Sequence, residues 1–193
     1  MIELSFVRSI VCGWRKGVEM APVSTKITYL EMLESPCLTN PSSNQESVAI
    51  ERSGKLSATA YRSLYNSVGS DYQWTDRNLL QDDELEEIVQ HSLVEIFLLT
   101  VKGRQAGFAE LDRRRSGQIE LAYFGLLPNY IGVGLGKYFL FWIVKQAWSY
   151  APERLWVHTC DLDHRAALPN YERAGFRVYD EPVLPQDVSD EPT

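Results

Sequence analysis

The sequence predicts a mixed α/β fold in which an antiparallel meander of strands leads into a parallel β-α-β crossover. Short apolar runs separated by tight turns fill residues 93–127, a pattern typical of antiparallel hairpins. A helical pattern, a strand and a second helical pattern follow. A strand, a helix and a strand in succession require a right-handed crossover between parallel strands. We expect six to seven strands and about four helices around one mixed sheet.

The first half of the chain contributes one strand and two helices to this prediction. An apolar run predicts a strand over Thr25–Leu33. Residues 36–55 are rich in Ser, Asn and Pro and are predicted to be a loop. The helical stripe of Leu56–Val68 precedes a turn over Gly69–Arg77. A short helix is then predicted over Asp82–Gln90, because its acidic first turn suits the helix dipole.

The second half supplies the meander and the crossover. Apolar runs bounded by turn residues mark the strands, and a spacing of three to four residues between apolar side chains marks the helices. In chain order, the predicted elements are strands Leu93–Val101, Ala106–Leu111 and Gln118–Leu127, a helix from about 134 to 150, strand Arg154–Thr159, helix Arg165–Ala174 and strand Phe176–Val183.

Length and composition suit a single globular domain. The chain has 193 residues, of which 45% are hydrophobic, so it can form a core of ordinary size. We expect this domain to span residues 21–183. Residues 1–20 are interpreted as an extension that need not be native, with Met20 as an alternative natural start. Residues 184–193 hold acidic residues and prolines and are predicted to be a flexible tail.

Charge and cysteine usage exclude several classes of function. The net charge of −7 argues against a nucleic-acid binder. No apolar run reaches the length of a membrane span, and the N-terminus lacks a secretory core. Cys12, Cys37 and Cys160 are scattered and show no metal-ligand spacing. We therefore expect a cytoplasmic protein with no metal and no membrane partner, and a homodimer remains possible.

The stretch LLPNYIGVGLGK, residues 126–137, carries the strongest functional signal. A predicted strand ends at Pro128, and glycines follow at positions 132, 134 and 136 before a helix begins. Free N–H groups at a helix N-terminus bind anions, most often phosphates, and glycines let the ligand approach the backbone. A Walker loop is excluded because position 131 is Ile and position 138 is Tyr. A dinucleotide fingerprint is excluded because the third glycine falls one place early.

The segment Ile131–Gly136 resembles the signature of the GNAT superfamily of N-acetyltransferases, with Ile131 in place of the usual Arg or Gln. A second block, HRAALPNYERAGF at residues 164–176, is similar to a later motif of that family. Ala167, Tyr171, Gly175 and Phe176 match this motif in register. The resemblance implies a GNAT-type fold, acetyl-CoA as the donor and a primary amine as the acceptor. It does not name a subfamily.

The resemblance also implies roles for particular residues. Glu120, on the strand before the glycine loop, is the candidate base for the acceptor amine, with a solvent-facing strand residue as the alternative. Tyr171 is the candidate acid for the leaving thiolate, with simple packing as the alternative. The backbone N–H of Leu126 is expected to stabilise the oxyanion. Coenzyme A is expected to contact the backbone of Leu126, Leu127, Ile131, Gly132, Val133, Gly134, Leu135, Gly136 and Lys137.

Some assignments rest on the residues more than on the family. Tyr72 and Trp74 lie between the first two helices and could form an aromatic wall for a cationic amine, although a core or dimer contact fits equally well. His158 and His164 are weaker candidates for a base. A non-catalytic module that binds acyl-CoA on the same fold is the alternative function, because Ile131 and His164 depart from the family pattern.

Overall fold

The computed structural model describes residues 25–37 and 47–184. Seven strands form one sheet in the order β2-β3-β4-β5-β6-β1-β7, and the two-residue β8 pairs with β1. The predicted extension, residues 1–20, and tail residues 185–193 lie outside the described residues. The strands are β1 (Thr25–Met32), β2 (Val48–Arg52), β3 (Val94–Val101), β4 (Arg104–Asp112), β5 (Gln118–Leu126), β6 (Arg154–Cys160), β7 (Arg177–Asp180) and β8 (Val183–Leu184).

Five α-helices accompany the sheet in the described ranges, and two of them begin at well-formed caps. Ser57 caps the first helix by accepting a hydrogen bond from the N–H of Ala60 at 3.3 Å. Gln81 and Glu84 form a capping box at the start of the third. The helices are α1 (Ala58–Gly69), α2 (Asp76–Leu79), α3 (Asp82–Val89), α4 (Leu135–Trp148) and α5 (Ala167–Arg173).

The sheet is covered by helices on both faces. Alternate side chains along a strand point to opposite faces, so the strands contribute to two cores. Helices α4 and α5 pack on one face against Leu30, Leu99 and Leu121. Helices α1 and α3 pack on the other against Ile96 and Phe108. Residues of both helical layers and of β5 line one cavity.

Strands β5 and β6 separate partway along their length. Their parallel pairing runs only from Gln118 opposite Arg154 to Glu120 opposite Trp156. Strand β5 nevertheless continues beside β4 as far as Leu126. A register shift between the 110/123 and 111/121 pairs adds an extra residue in β5 and bends it. The mixed sheet predicted from the sequence is therefore confirmed, with an opening between its two parallel strands.

The predicted loop over residues 36–55 is wrong in part, because it contains β2. This strand pairs antiparallel with β3 along its whole length, and Val48 and Ile50 pack against the core. Its five residues are too few, among polar neighbours, to show a clear period in the sequence. The predicted turn over Gly69–Arg77 likewise contains the start of α2, and the predicted last strand is divided between β7 and β8.

Candidate functional site

A cavity of about 360 Å³ opens where β5 and β6 separate. One end is formed by the glycine loop and α5, and the other by α1, the segment 72–76 and the end of β6. The volume falls in the range of small-molecule sites, and the lining is mainly apolar and aromatic with a few polar groups. We call the glycine-loop end the donor end and the opposite end the acceptor end, after the substrates that the sequence predicts.

Two glycines of the loop adopt a left-handed backbone conformation. Gly132 and Gly134 have φ angles of +83° and +87°, a region that side chains other than glycine seldom adopt. An added Cβ at either position would meet no atom within 4 Å, so the surface of this loop is open to a ligand. Gly134 is the residue before α4, which places the first N–H groups of that helix beside the loop.

The predicted coenzyme segment divides into residues that line the cavity and residues that do not. Leu135 is buried in the core at 1% exposure, Val133 is 45% exposed, and Leu127 packs in the cluster beneath α1. None of these three residues lines the cavity. The cavity is lined by Leu126, Ile131, Gly132, Gly134, Gly136 and Lys137.

The backbone of Leu126 faces the opening between the strands. The N–H of Leu127 donates to the carbonyl of Ala106 across β4 at 2.9 Å. Successive N–H groups on a strand point to opposite edges, so the N–H of Leu126 points away from β4 and toward the gap left by β6. This N–H is therefore directed into the opening rather than into the β4 ladder.

Tyr171 lies at the donor end on α5. Its side chain is buried, lines the cavity and contacts the ring of Phe124, with centroids 6.5 Å apart. Burial, followed by the charge of Asp163, raises the pKa of Tyr171 well above its usual value. The phenol therefore remains protonated at neutral pH.

Glu120 and His158 occupy neighbouring positions on β5 and β6. Glu120 does not line the cavity, whereas His158 does. The Nδ1 atom of His158 lies 3.6 Å from Oε1 of Glu120. This nitrogen is buried and makes no hydrogen bond within the described residues. The structure thus places a histidine between the predicted base and the cavity.

Aromatic side chains line the acceptor end of the cavity. Trp74 and Tyr72, both predicted as substrate contacts, line the cavity. Trp74 rests on Gly69, where an added Cβ would come within 2.4 Å of the indole ring. Its Nε1 donates to Oδ1 of Asp163 at 3.2 Å, and Tyr72 contacts His164 edge-on. The position of Trp74 is therefore fixed by backbone contact on one side and a hydrogen bond on the other.

Sequence reasoning missed three further residues of this end. Tyr65 and Tyr123 contact each other edge-on, with ring centroids 5.0 Å apart. Asp76, at the start of α2, is partly buried and also lines the cavity. Burial raises the pKa of Asp76 above its ordinary value, and the charges of His158 and Arg77 oppose that rise. A helical period signals Tyr65 as buried, but no local pattern marks Asp76 or Tyr123 as site residues.

A buried ion pair stabilises the acceptor end of the cavity. Nη2 of Arg77 lies 2.5 Å from Oε1 of Glu110, whose side chain is fully buried. Tyr61 donates a hydrogen bond to the other carboxylate oxygen. The guanidinium also lies over the ring of Tyr123, 5.1 Å from its centroid. Arg77 therefore ties the segment that carries Asp76 to β4 and β5.

The sequence matches the Acetyltransferase (GNAT) family over residues 61–176, more than half of the chain. The chain belongs to the GNAT family. This family is the one that the resemblance of the two sequence blocks predicted. The match begins inside α1 and ends at Phe176, so it includes every residue of the cavity described above.

Solved structures support the same fold for this GNAT protein. A GCN5-related N-acetyltransferase from Sphaerobacter thermophilus has a TM-score of 0.56 at 14% identity over 84% of this chain, which spans about half (51%) of that protein. An IAA acetyltransferase from Bacillus cereus has a TM-score of 0.54 at 23% identity, covering 69% and 79% of the two chains. A Bacillus subtilis acetyltransferase in complex with CoA has a TM-score of 0.52 at 16% identity, with the same coverage. No curated protein matches the sequence.

The described part of the molecule contains neither a metal-binding cluster nor a membrane-spanning helix. No group of three or more His, Cys, Asp or Glu side chains there is arranged to hold a metal ion. Among the helices that the structure describes, none has the length and apolar character of a bilayer span.

Proposed function

We propose that the protein transfers an acetyl group from acetyl-CoA to a primary amine. The observation that carries this proposal is the separation of β5 from β6, which opens a cavity with the glycine loop and Tyr171 at one end and His158 at the other. Such an opening lets a thioester and an amine meet inside the sheet. Membership of the GNAT family and the CoA complex of the Bacillus subtilis neighbour support the choice of donor.

The donor end suits the diphosphate and thioester of acetyl-CoA. The N–H groups at the start of α4 and the open surface of Gly132 and Gly134 can hold a diphosphate through the backbone. Lys137, in the first turn of α4, lines the same end and adds a positive charge. The N–H of Leu126 is the donor that we assign to the thioester carbonyl oxygen, where negative charge develops during attack.

Proton removal from the amine is assigned to His158 together with Glu120. An alkylamine has a pKa near that of lysine, about 10.4, and must lose a proton before it can attack. Because Glu120 lies behind His158 rather than in the cavity, we propose that His158 accepts the proton and that Glu120 orients the imidazole and stabilises its cationic form. The direct role predicted for Glu120 becomes an indirect one in this proposal.

The chemistry is completed by Tyr171. The amine nitrogen forms a bond to the carbonyl carbon, and the bond from that carbon to sulfur breaks as the tetrahedral intermediate collapses. Tyr171 gives its proton to the departing thiolate and recovers one from the newly bonded nitrogen. The first proton of the ammonium passes through His158 to solvent. The products are an amide, a free thiol and one released proton.

A thiol-release assay with acetyl-CoA tests this function across primary amines of different size and charge. We expect turnover with at least one amine, and loss of about tenfold or more in kcat for His158→Gln and Glu120→Gln at neutral pH. The loss should shrink as pH rises, because more of the amine is then deprotonated in solution. If both variants were as active as the wild type at every pH, the proton relay would be wrong.

A non-catalytic acyl-CoA-binding module is the competing function, and calorimetry separates the two. Binding of CoA without turnover on any amine of the panel would favour the module. Absence of measurable CoA binding at millimolar concentrations would exclude both.

A further inference from the structure

We propose that Asp76 and the rings of Tyr65, Trp74 and Tyr123 form a cation site that binds the acceptor as its ammonium ion. This inference rests on the proposed function and names its substrate class: a compact primary amine with an apolar body and no carboxylate beside the amino group. The four side chains come from α1, the segment before α2, the start of α2 and β5, and all four line the acceptor end of the cavity.

Asp76 differs from Asp163, the other carboxylate of the cavity, in its bonding. Asp163 accepts hydrogen bonds from Nε1 of Trp74, Oγ1 of Thr159 and the N–H of Cys160. In the part of the chain that the structure describes, burial and the charges of His158 and Arg77 act on the carboxylate of Asp76, and no hydrogen bond does. Because a partly buried carboxylate without a partner is costly, a cationic ligand at this position would stabilise it.

The positive groups near Asp76 do not form an ion pair with its carboxylate. The guanidinium of Arg77 turns toward Glu110, 2.5 Å away. The imidazole of His158 faces Glu120. Both lower the pKa of Asp76 through their charges, but neither contacts its oxygens. Burial raises the pKa of Tyr65 and of Tyr123. The charge of Asp76 raises both pKa values further.

The rings of Trp74 and Tyr123 form an aromatic wall beside this carboxylate, and the fully buried ring of Tyr65 packs against both of them. The centroid of Trp74 lies 5.4 Å from that of Tyr65 and 5.2 Å from that of Tyr123. The two tyrosine rings are 5.0 Å apart. Aromatic faces attract cations, most strongly where water is excluded. A carboxylate beside such a wall would select an ammonium group over a neutral or anionic group of the same shape.

The size of the cavity limits the acceptor. Its 360 Å³ must also admit the thioester end of the donor, so the part of the acceptor that enters the cavity is small. A carboxylate next to the amino group would approach Asp76 and be repelled at this distance. We therefore expect simple alkyl or aralkyl amines to be preferred over amino acids.

Calorimetric binding of benzylammonium and of benzyl alcohol, its neutral analogue, tests the site without requiring turnover. We expect the wild type to bind benzylammonium at least about tenfold more tightly than benzyl alcohol, and Asp76→Asn to remove most of that difference. Asp161→Asn is the matched control, because Asp161 is exposed and outside the cavity. The control removes the same charge and should preserve the preference. Equal preference in wild type and Asp76→Asn would overturn the inference.

A kinetic experiment separates this inference from the proposed function. With benzylamine, Asp76→Asn should raise KM about tenfold while KM for acetyl-CoA stays within threefold of wild type. With O-benzylhydroxylamine, which is uncharged at neutral pH, the two enzymes should differ by less than threefold. If Asp76→Asn acetylated benzylamine with the KM of the wild type, the cation site would be wrong and the proposed function would still stand. If no amine is acetylated, the proposed function fails, and the calorimetric comparison still decides whether Asp76 binds a cation.

Discussion

The two ends of the cavity are built from different parts of the chain. The donor end is mainly backbone: one continuous segment, residues 126–137, supplies the strand end, the glycine loop and the helix start. The acceptor end is mainly side chains, and its residues come from α1, α2, β5 and β6, with Tyr65 and His158 more than ninety positions apart in the sequence. A site for the donor can thus be encoded locally, whereas the acceptor site exists only after the sheet and helices have packed.

This difference has a consequence for substitutions. Backbone contacts are insensitive to side-chain identity except where a glycine is needed for its φ angle. Side-chain contacts depend on every residue that holds them in place. The acceptor end should therefore be damaged by changes to its supporting residues, and the donor end by changes to its glycines.

The largest effect is expected from Arg77→Met, which breaks the support of the acceptor end. The change leaves Glu110 buried without its partner charge, so the free energy of unfolding should fall by about 3 kcal/mol or more. Chemical denaturation measures it. Arg114→Met is the control, because the side chain of Arg114 is 40% exposed where it pairs with Asp112, and loss of this more exposed pair should cost about 1 kcal/mol. If the two variants were equally stable, the support assigned to Arg77 would be wrong.

Tyr171→Phe should lower kcat about 100-fold, equivalent to about 2.7 kcal/mol, because the thiolate then leaves without a proton. Affinity for CoA, measured by calorimetry, should change little. Tyr179→Phe, at an exposed position on β7, should retain full activity. A Tyr171→Phe variant with kcat within threefold of wild type would assign the tyrosine to packing.

Gly134→Ala tests whether the donor end depends on its backbone. An added Cβ meets no neighbour, but the φ of +87° costs about 1–2 kcal/mol for a residue other than glycine. Relief of that strain should shift the loop and weaken CoA binding about tenfold. Gly103→Ala is the matched control, since Gly103 has a φ of +72° and equally open surroundings in the β3–β4 turn. It should lose similar stability but keep its CoA affinity.

The smallest effect is expected from Leu126→Met. The role proposed for Leu126 belongs to its backbone N–H, and methionine fills a similar volume in the core. Steady-state kinetics should show kcat/KM within threefold of wild type. A loss of more than tenfold would mean that the side chain, rather than the backbone, positions the thioester.

The sequence alone predicted the parts of this protein that depend on local order. The meander, the crossover helix and the glycine loop follow from period, turn residues and the spacing of glycines, all of which are properties of neighbouring residues. The family was likewise visible in two short blocks, residues 131–136 and 164–176. Strand β2 was missed because its five residues become a strand only by pairing with β3.

Only the tertiary structure decided how the acceptor end is built. Sequence spacing says nothing about which residues meet across a sheet, so Asp76 and Tyr123 could not be assigned to the site. It also could not show that His158 stands between Glu120 and the cavity. The physical reason is that a local segment fixes its own backbone, whereas the placement of distant side chains requires the packing of α1 and α2 against β4, β5 and β6.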